Sequence, residues 1–165
     1  MIALKKILVP TDFGEAADAA LNYARALARN FEASIDLLYV AEDVSTRLLA
    51  GEMYVAVPQS LQTDVEEAAH KQLDARLIDN DPNPLPVRPV VIVSNAPAVS
   101  IVSYAKEVRA DLIVMGTHGR GPMAHLFMGS VAERVVRLAP CPVLVVRHPE
   151  HEFVLPDTLA VAAKA

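Results

Sequence analysis

The chain has 165 residues, 53% hydrophobic and 21% charged, with a formal net charge of −5. That length predicts one domain with its own core, the composition excludes a disordered chain, and the acidic balance argues against a nucleic-acid platform, which needs a basic face. No apolar run approaches the roughly 18 residues of a membrane span, the run after Lys5 and Lys6 is too short for a signal peptide, and one cysteine excludes an internal disulfide, so a cytoplasmic setting is expected.

Lys6 to Pro10, ending at Thr11-Asp12, reads as the first strand. Ala17, Ala20, Leu21, Ala24, Leu27 and Ala28 then recur at helical spacing, which predicts an amphipathic helix over Glu15 to Asn30 with an alanine face close to a sheet. Ile35 to Val40 reads as the second strand, and Ala41 to Pro58, without a clean period, as a long connection. Leu61, Val65, Ala68, Ala69, Leu73 and Leu77 place a helix across Gln59 to Ile78, followed by a proline-rich turn from Asp79 to Pro86. Val87 to Val93 is the third strand, and Pro89 points to an edge position. Pro97 suits the first turn of the next helix, whose inner face is Ile101, Val102, Ala105 and Val108. Asp111 to Met115 is the fourth strand, Val131 to Leu138 a helix, and Val143 to Val146 the fifth strand. Cys141, between Pro140 and Pro142 at a strand entrance, reads as packing rather than nucleophile.

Alternating strands and helices indicate a parallel sheet covered on both faces, with right-handed crossovers. Between the fourth strand and the last helix, Met115 to Ser130 holds four of the six glycines. Ser130 and Glu133 read as a Ser-x-x-Glu capping box. Strand, glycine loop and helix start together make an anion cradle, because loop N–H groups and the helix dipole converge there. Phosphate is the expected anion. The stretch is not a Walker loop, since Pro122 and Met123 stand where Lys and Ser or Thr belong. Nor is it a dinucleotide fingerprint, because the next strand ends in Arg147 and not in an acid. Asp12 has two readings: Asp12-x-x-Glu15 is a helix-start pattern, and a carboxylate there could equally accept a bond from a nucleoside or hold a hydrated Mg²⁺.

The spacing Gly116-x2-Gly119-x9-Gly129-Ser130 resembles the signature of the universal stress protein family, in its ATP-binding, single-domain branch. Ile7 to Asp12 is similar to that family's first strand, and Val131 to Val136 with Pro140 to Val146 to its last helix and strand, so the resemblance runs over about residues 3 to 147. It implies an open, doubly wound α/β sheet of order 3-2-1-4-5, Rossmann-like and akin to the adenine nucleotide alpha hydrolases. A nucleotide-binding domain over 1–147 and a tail over 148–165 follow. In such a sheet the ligand crevice lies beyond the carboxyl ends of strands 1 and 4. The resemblance places Pro10, Thr11 and Asp12 beside the nucleoside and Val40 beside the base. Gly116, Gly119, Gly129 and Ser130 fall along ribose and phosphates, with Val131 adding a helix-start N–H and Ser130 serving as both cap and phosphate donor. Met115, His118 and Arg120 complete the expected set; Arg120 could pair with a terminal phosphate, or these loop residues could be a solvated face.

The implied function is ATP binding, with Mg²⁺, by a regulatory stress-response module that forms a homodimer through Val143 to Val146. The alternatives are a slow ATPase, for which Asp12 is the one candidate group, and a dimeric interaction module without nucleotide. No catalytic residue and no metal ligand set is assigned: His118 and His125, and His148 and His151, lack partners at a recognised spacing, and Ser130 lacks a nucleophile elbow. After the third strand Ser94-Asn95-Ala96 stands where the family often has glycine, and Asn95 is expected to take left-handed geometry there. In the tail Asp157 could cap a short helix that docks on a partner, or the end could fray. Valine at Gly116 or Gly129 is expected to block the ligand and leave the fold intact.

Overall fold

The apolar runs form strands and the periodic stretches form helices. The computed structural model describes residues 3–44, 59–78, 84–117 and 129–147. Within them the order is β1 (Lys6–Thr11), α1 (Glu15–Phe31), β2 (Ser34–Ala41), α2 (Gln59–Leu77), β3 (Val87–Val93), α3 (Pro97–Glu107), β4 (Leu112–Gly116), α4 (Ser130–Leu138) and β5 (Val143–Val146). The strands make one parallel sheet in the order β3-β2-β1-β4-β5, the doubly wound arrangement expected. Pro89 lies in β3, an edge strand, where its missing N–H costs no ladder bond on the open side.

Alternation along each strand feeds two cores. On one face Ile7, Val9, Ile35, Leu37 and Val114 meet the alanine face of α1 and Leu73 of α2. On the other Leu8, Leu38, Ile113 and Met115 meet Ala98, Ile101 and Ala105 of α3 and Ala132 and Val135 of α4. The central strands are therefore buried on both sides, which is why they read as continuous apolar runs.

Two local features go beyond the spacing of the sequence. Helix α2 packs mainly over β2 and β3, and the residues it buries fully are Ala69 and Leu73, with Leu77 partly buried, while Leu61 and Ala68 are exposed. The turn after β3 does not use left-handed geometry, since Asn95 is not among the residues of positive φ. Its amide instead clasps the loop after β2: Asp43 N–H donates to Asn95 Oδ1 at 2.9 Å, and Asn95 Nδ2 donates to the Asp43 carbonyl at 3.2 Å.

One detail of register positions the site. β1 is in register with β2 from Lys6–Ser34 to Thr11–Tyr39, but with β4 only at Ile7–Leu112 and Leu8–Ile113. The two central strands thus part toward their carboxyl ends. Among the described residues no helix is long and apolar enough to cross a membrane.

Candidate functional site

Asp12 follows the last residue of β1, at one lip of that opening. It does not cap α1: the N-cap is Gly14, without a side-chain cap bond. Asp12 Oδ1 instead accepts the Gly14 N–H at 3.0 Å. A Cβ at Gly14 would stand 3.1 Å from that oxygen, so glycine leaves room for the carboxyl to fold back. Asp12 Oδ2 is buried and has no hydrogen-bond partner. An unsatisfied buried acceptor costs about 1–3 kcal/mol, which a water, an ion or a ligand donor at this position would relieve.

Gly116 ends β4 at the other lip. A Cβ there would lie 2.8 Å from the backbone carbon and 2.9 Å from the backbone oxygen of Ala16, in the first turn of α1. The expectation that valine leaves the fold intact is corrected here. Gly116 lets the start of α1 lie against the strand end, and overpacking that contact costs about 1–3 kcal/mol whatever it does to a ligand.

Ser130 also differs from expectation. The N-cap of α4 is Gly129, again without a side-chain cap bond, and Ser130 is the first helical residue. The capping box does not form; Glu133 pairs with Arg137 at 2.7 Å. The Ser130 hydroxyl is therefore exposed and not spent on the helix. The first helical bond runs from Glu133 N–H to the Gly129 carbonyl at 2.9 Å, so the N–H groups of Ser130, Val131 and Ala132 have no helical acceptor. Thr117 fixes where this helix starts: its N–H donates to the Val146 carbonyl at 2.8 Å, and its carbonyl accepts the Gly129 N–H at 2.7 Å.

The remaining expected residues divide. Pro10 and Thr11 are buried at the end of β1, and the Thr11 hydroxyl accepts the Phe13 N–H at 3.0 Å. Val40 lies near the end of β2, partly buried against the α3–α4 core. Met115 is 5% exposed within that core, so its side chain belongs to packing and it can offer a ligand only backbone. His118, Gly119 and Arg120 lie outside the described residues, as do the 45–58 connection and the 148–165 tail. Cys141 packs against the same core, and burial, then the Asp111 carboxylate, pushes its thiol up, as suits packing and not a nucleophile. What the sequence did not reveal is the turn's support. Phe13 has a φ of 65° and a ring stacked on Tyr39, and Arg76 of α2 reaches it from far along the chain. No local spacing could have signalled that.

Chemically the site offers an acceptor at one strand end and, at the other, free N–H donors with a hydroxyl at a positive helix terminus. That combination suits a ligand with a donor-bearing head and an anionic tail.

Comparison with known proteins identifies the family and the fold. The model of the universal stress protein family matches residues 3–147. Universal stress protein MJ0531 of Methanocaldococcus jannaschii is 35% identical over 150 residues, 90% of this chain and 85% of its own. The structure of universal stress protein UspA from Lactobacillus plantarum has a TM-score of 0.73 at 27% identity, over 89% of this chain and 100% of its own. Two more distant structures share the fold: a universal stress protein in complex with cAMP (23% identity, TM-score 0.58, 88% of this chain and 98% of its own) and one from Archaeoglobus fulgidus in complex with dAMP (20%, 0.57, 88% and 99%). With the matched sequence running from the first strand to the last and the sheet wound in the same order, the chain belongs to the universal stress protein family.

Proposed function

We propose that this protein binds ATP in the crevice between β1 and β4 and acts as a regulatory module in a stress response. One observation carries the reading: a buried, unpartnered Asp12 oxygen stands at the end of one central strand, and after the other comes a helix whose first N–H groups have no acceptor. Asp12 Oδ2 would accept from the adenine amino group or a ribose hydroxyl, with Pro10, Thr11 and Val40 along the nucleoside. Gly116, Gly129, the Ser130 hydroxyl and the Val131 N–H would face ribose and phosphates, joined by Gly119, His118 and Arg120 from the loop. Met115 would contribute its backbone alone. Mg²⁺ would accompany the phosphates, which hold it with water more readily than one carboxylate can. The cAMP and dAMP complexes of related folds support an adenine nucleotide as the ligand class.

The same reading takes residues 1–147 as the nucleotide-binding domain of a cytoplasmic homodimer joined through β5. β5 is an edge strand, and Leu144 on it is exposed, as are Val136 and Leu138 of α4. Such an edge is a template for a second copy.

The test is to denature freshly purified protein and identify the released small molecules by mass spectrometry, then titrate the stripped protein with ATP. ATP or ADP near one per chain, or a rise in melting temperature at millimolar ATP, is the expected result. Neither release nor a thermal shift would remove nucleotide binding and leave an interaction module.

A further inference from the structure

The turn that presents Asp12 adopts a conformation that short peptides avoid. Phe13 lies in the left-handed region, at a φ of 65°, where a bulky side chain is strained. The surroundings hold it there. Its N–H is taken by Thr11 Oγ1, and its ring stacks on Tyr39 with centroids 4.4 Å apart and 27° between planes. Arg76, in the last turn of α2, donates from Nη2 to the Phe13 carbonyl at 3.0 Å and lies 4.9 Å from the ring centroid. The guanidinium is itself forked onto Asp18 in the first turn of α1, Nε to Oδ1 at 2.6 Å and Nη2 to Oδ2 at 3.1 Å. Arg25 of α1 donates to the Arg76 carbonyl, fixing the backbone as well.

One side chain therefore joins three elements: α2, the first turn of α1, and the turn after β1. A lysine could satisfy one of these acceptors, whereas the planar fork satisfies Asp18 and the Phe13 carbonyl together. We propose that Arg76, locked by Asp18, is a positioning residue for nucleotide binding. It keeps Phe13 left-handed, so that Asp12 bonds Gly14 with one oxygen and presents the other, unpaired, to the ligand. The inference rests on the ATP reading for its ligand, and on geometry alone for its latch.

The experiment uses the full chain in two arms. Amide hydrogen exchange is followed by NMR without ligand in the wild type, Arg76→Met and Asp18→Asn. Calorimetric ATP titration compares the wild type, Arg76→Met, Asp12→Asn and the double variant. The latch predicts that Phe13 and Gly14 amides exchange at least about tenfold faster in Arg76→Met while Ile113 and Val114 in β4 keep their protection. It predicts an affinity loss of about fivefold from Arg76→Met when Asp12 is present, and little further loss in the Asp12→Asn background. Asp18→Asn should reproduce the exchange result from the other side of the fork if Arg76→Met folds poorly. Unchanged exchange at Phe13 and Gly14, or the same affinity loss with and without Asp12, would overturn the proposal. A wild type that binds no ATP removes the ligand reading, and the exchange arm then decides the latch by itself.

Discussion

At the amino end of the sheet the carboxylate of Asp36, on β2, is sealed in. It is 2% exposed and accepts from Arg88 Nε at 3.0 Å, Arg88 Nη2 at 2.7 Å and the Tyr104 hydroxyl at 3.1 Å, with Lys6 Nζ at 4.0 Å. Arg88 Nη2 also donates to the Tyr104 oxygen at 2.7 Å, closing a triangle. At the carboxyl end Asp12 has one oxygen on the Gly14 N–H and the other buried without a partner. The same functional group is thus treated in two ways on one sheet. Where both oxygens are paired, the carboxylate organises the fold; where one is left without a partner, the fold carries a cost that a ligand can relieve.

Three substitutions probe that contrast. Arg88→Met has the largest expected effect, since it leaves Asp36 buried with only Tyr104 and Lys6 nearby. A loss of about 3 kcal/mol in denaturant unfolding is expected, with ATP affinity unchanged. An equal loss of affinity would mean that the two ends are coupled and the contrast is false. Asp12→Asn should do the reverse: ATP binding weakens about tenfold while stability moves by less than about 1 kcal/mol, because the bond to Gly14 survives. A stability loss as large as that of Arg88→Met would make Asp12 a structural group. Tyr104→Phe is the smallest, about 1–2 kcal/mol at neutral pH, since it removes the hydroxyl's bond to Asp36 and the one it accepts from Arg88. Its sharper signature is alkaline. The Tyr104 hydroxyl is pushed up to about 12, first by burial and then by the Asp36 carboxylate, from an ordinary value near 10. Because the folded value is the higher one, its contribution is complete below about pH 10 and is lost as pH rises through about 12. Melting temperatures across that window should fall more steeply for the wild type than for Tyr104→Phe.

The parts legible in the sequence were those governed by local pattern. Apolar runs marked the strands because both faces are covered, and alanine periodicity marked α1 because it lies close to the sheet. Pro89 marked an edge and Pro97 a helix start through their missing N–H groups. Asp12, Gly116, Gly129 and Ser130 can be named from the sequence, but the cap role expected of Ser130 is not found, and of the two readings of Asp12 the cap is removed. Ser130 is one residue inside the helix, because the Gly129 N–H is tied to Thr117 and sets the start earlier than a capping box would. Gly116 makes room for Ala16 of α1, an approach between elements distant in sequence. Asp12 folds back on Gly14 and does not cap. Asp36 carries a signal of its own, because an acid inside the run Ser34–Ala41 demands a cation or donors nearby. Its partners Arg88 and Tyr104, like Arg76 for Phe13, come from other elements, and only the folded chain brings them together.

Thr117 holds a further consequence. Because its N–H is anchored on Val146 and its carbonyl holds the Gly129 N–H, the two ends of the 118–128 segment are joined at the base by the sheet itself. Whatever residues lie between, α4 starts at the same point. Closure entropy grows only with the logarithm of length, about 0.6 kcal/mol for each doubling. That segment can therefore be lengthened, shortened or grafted without unseating the helix. The fold is in this sense a chassis, whose sheet and last helix keep their places while a single cassette between them is exchanged.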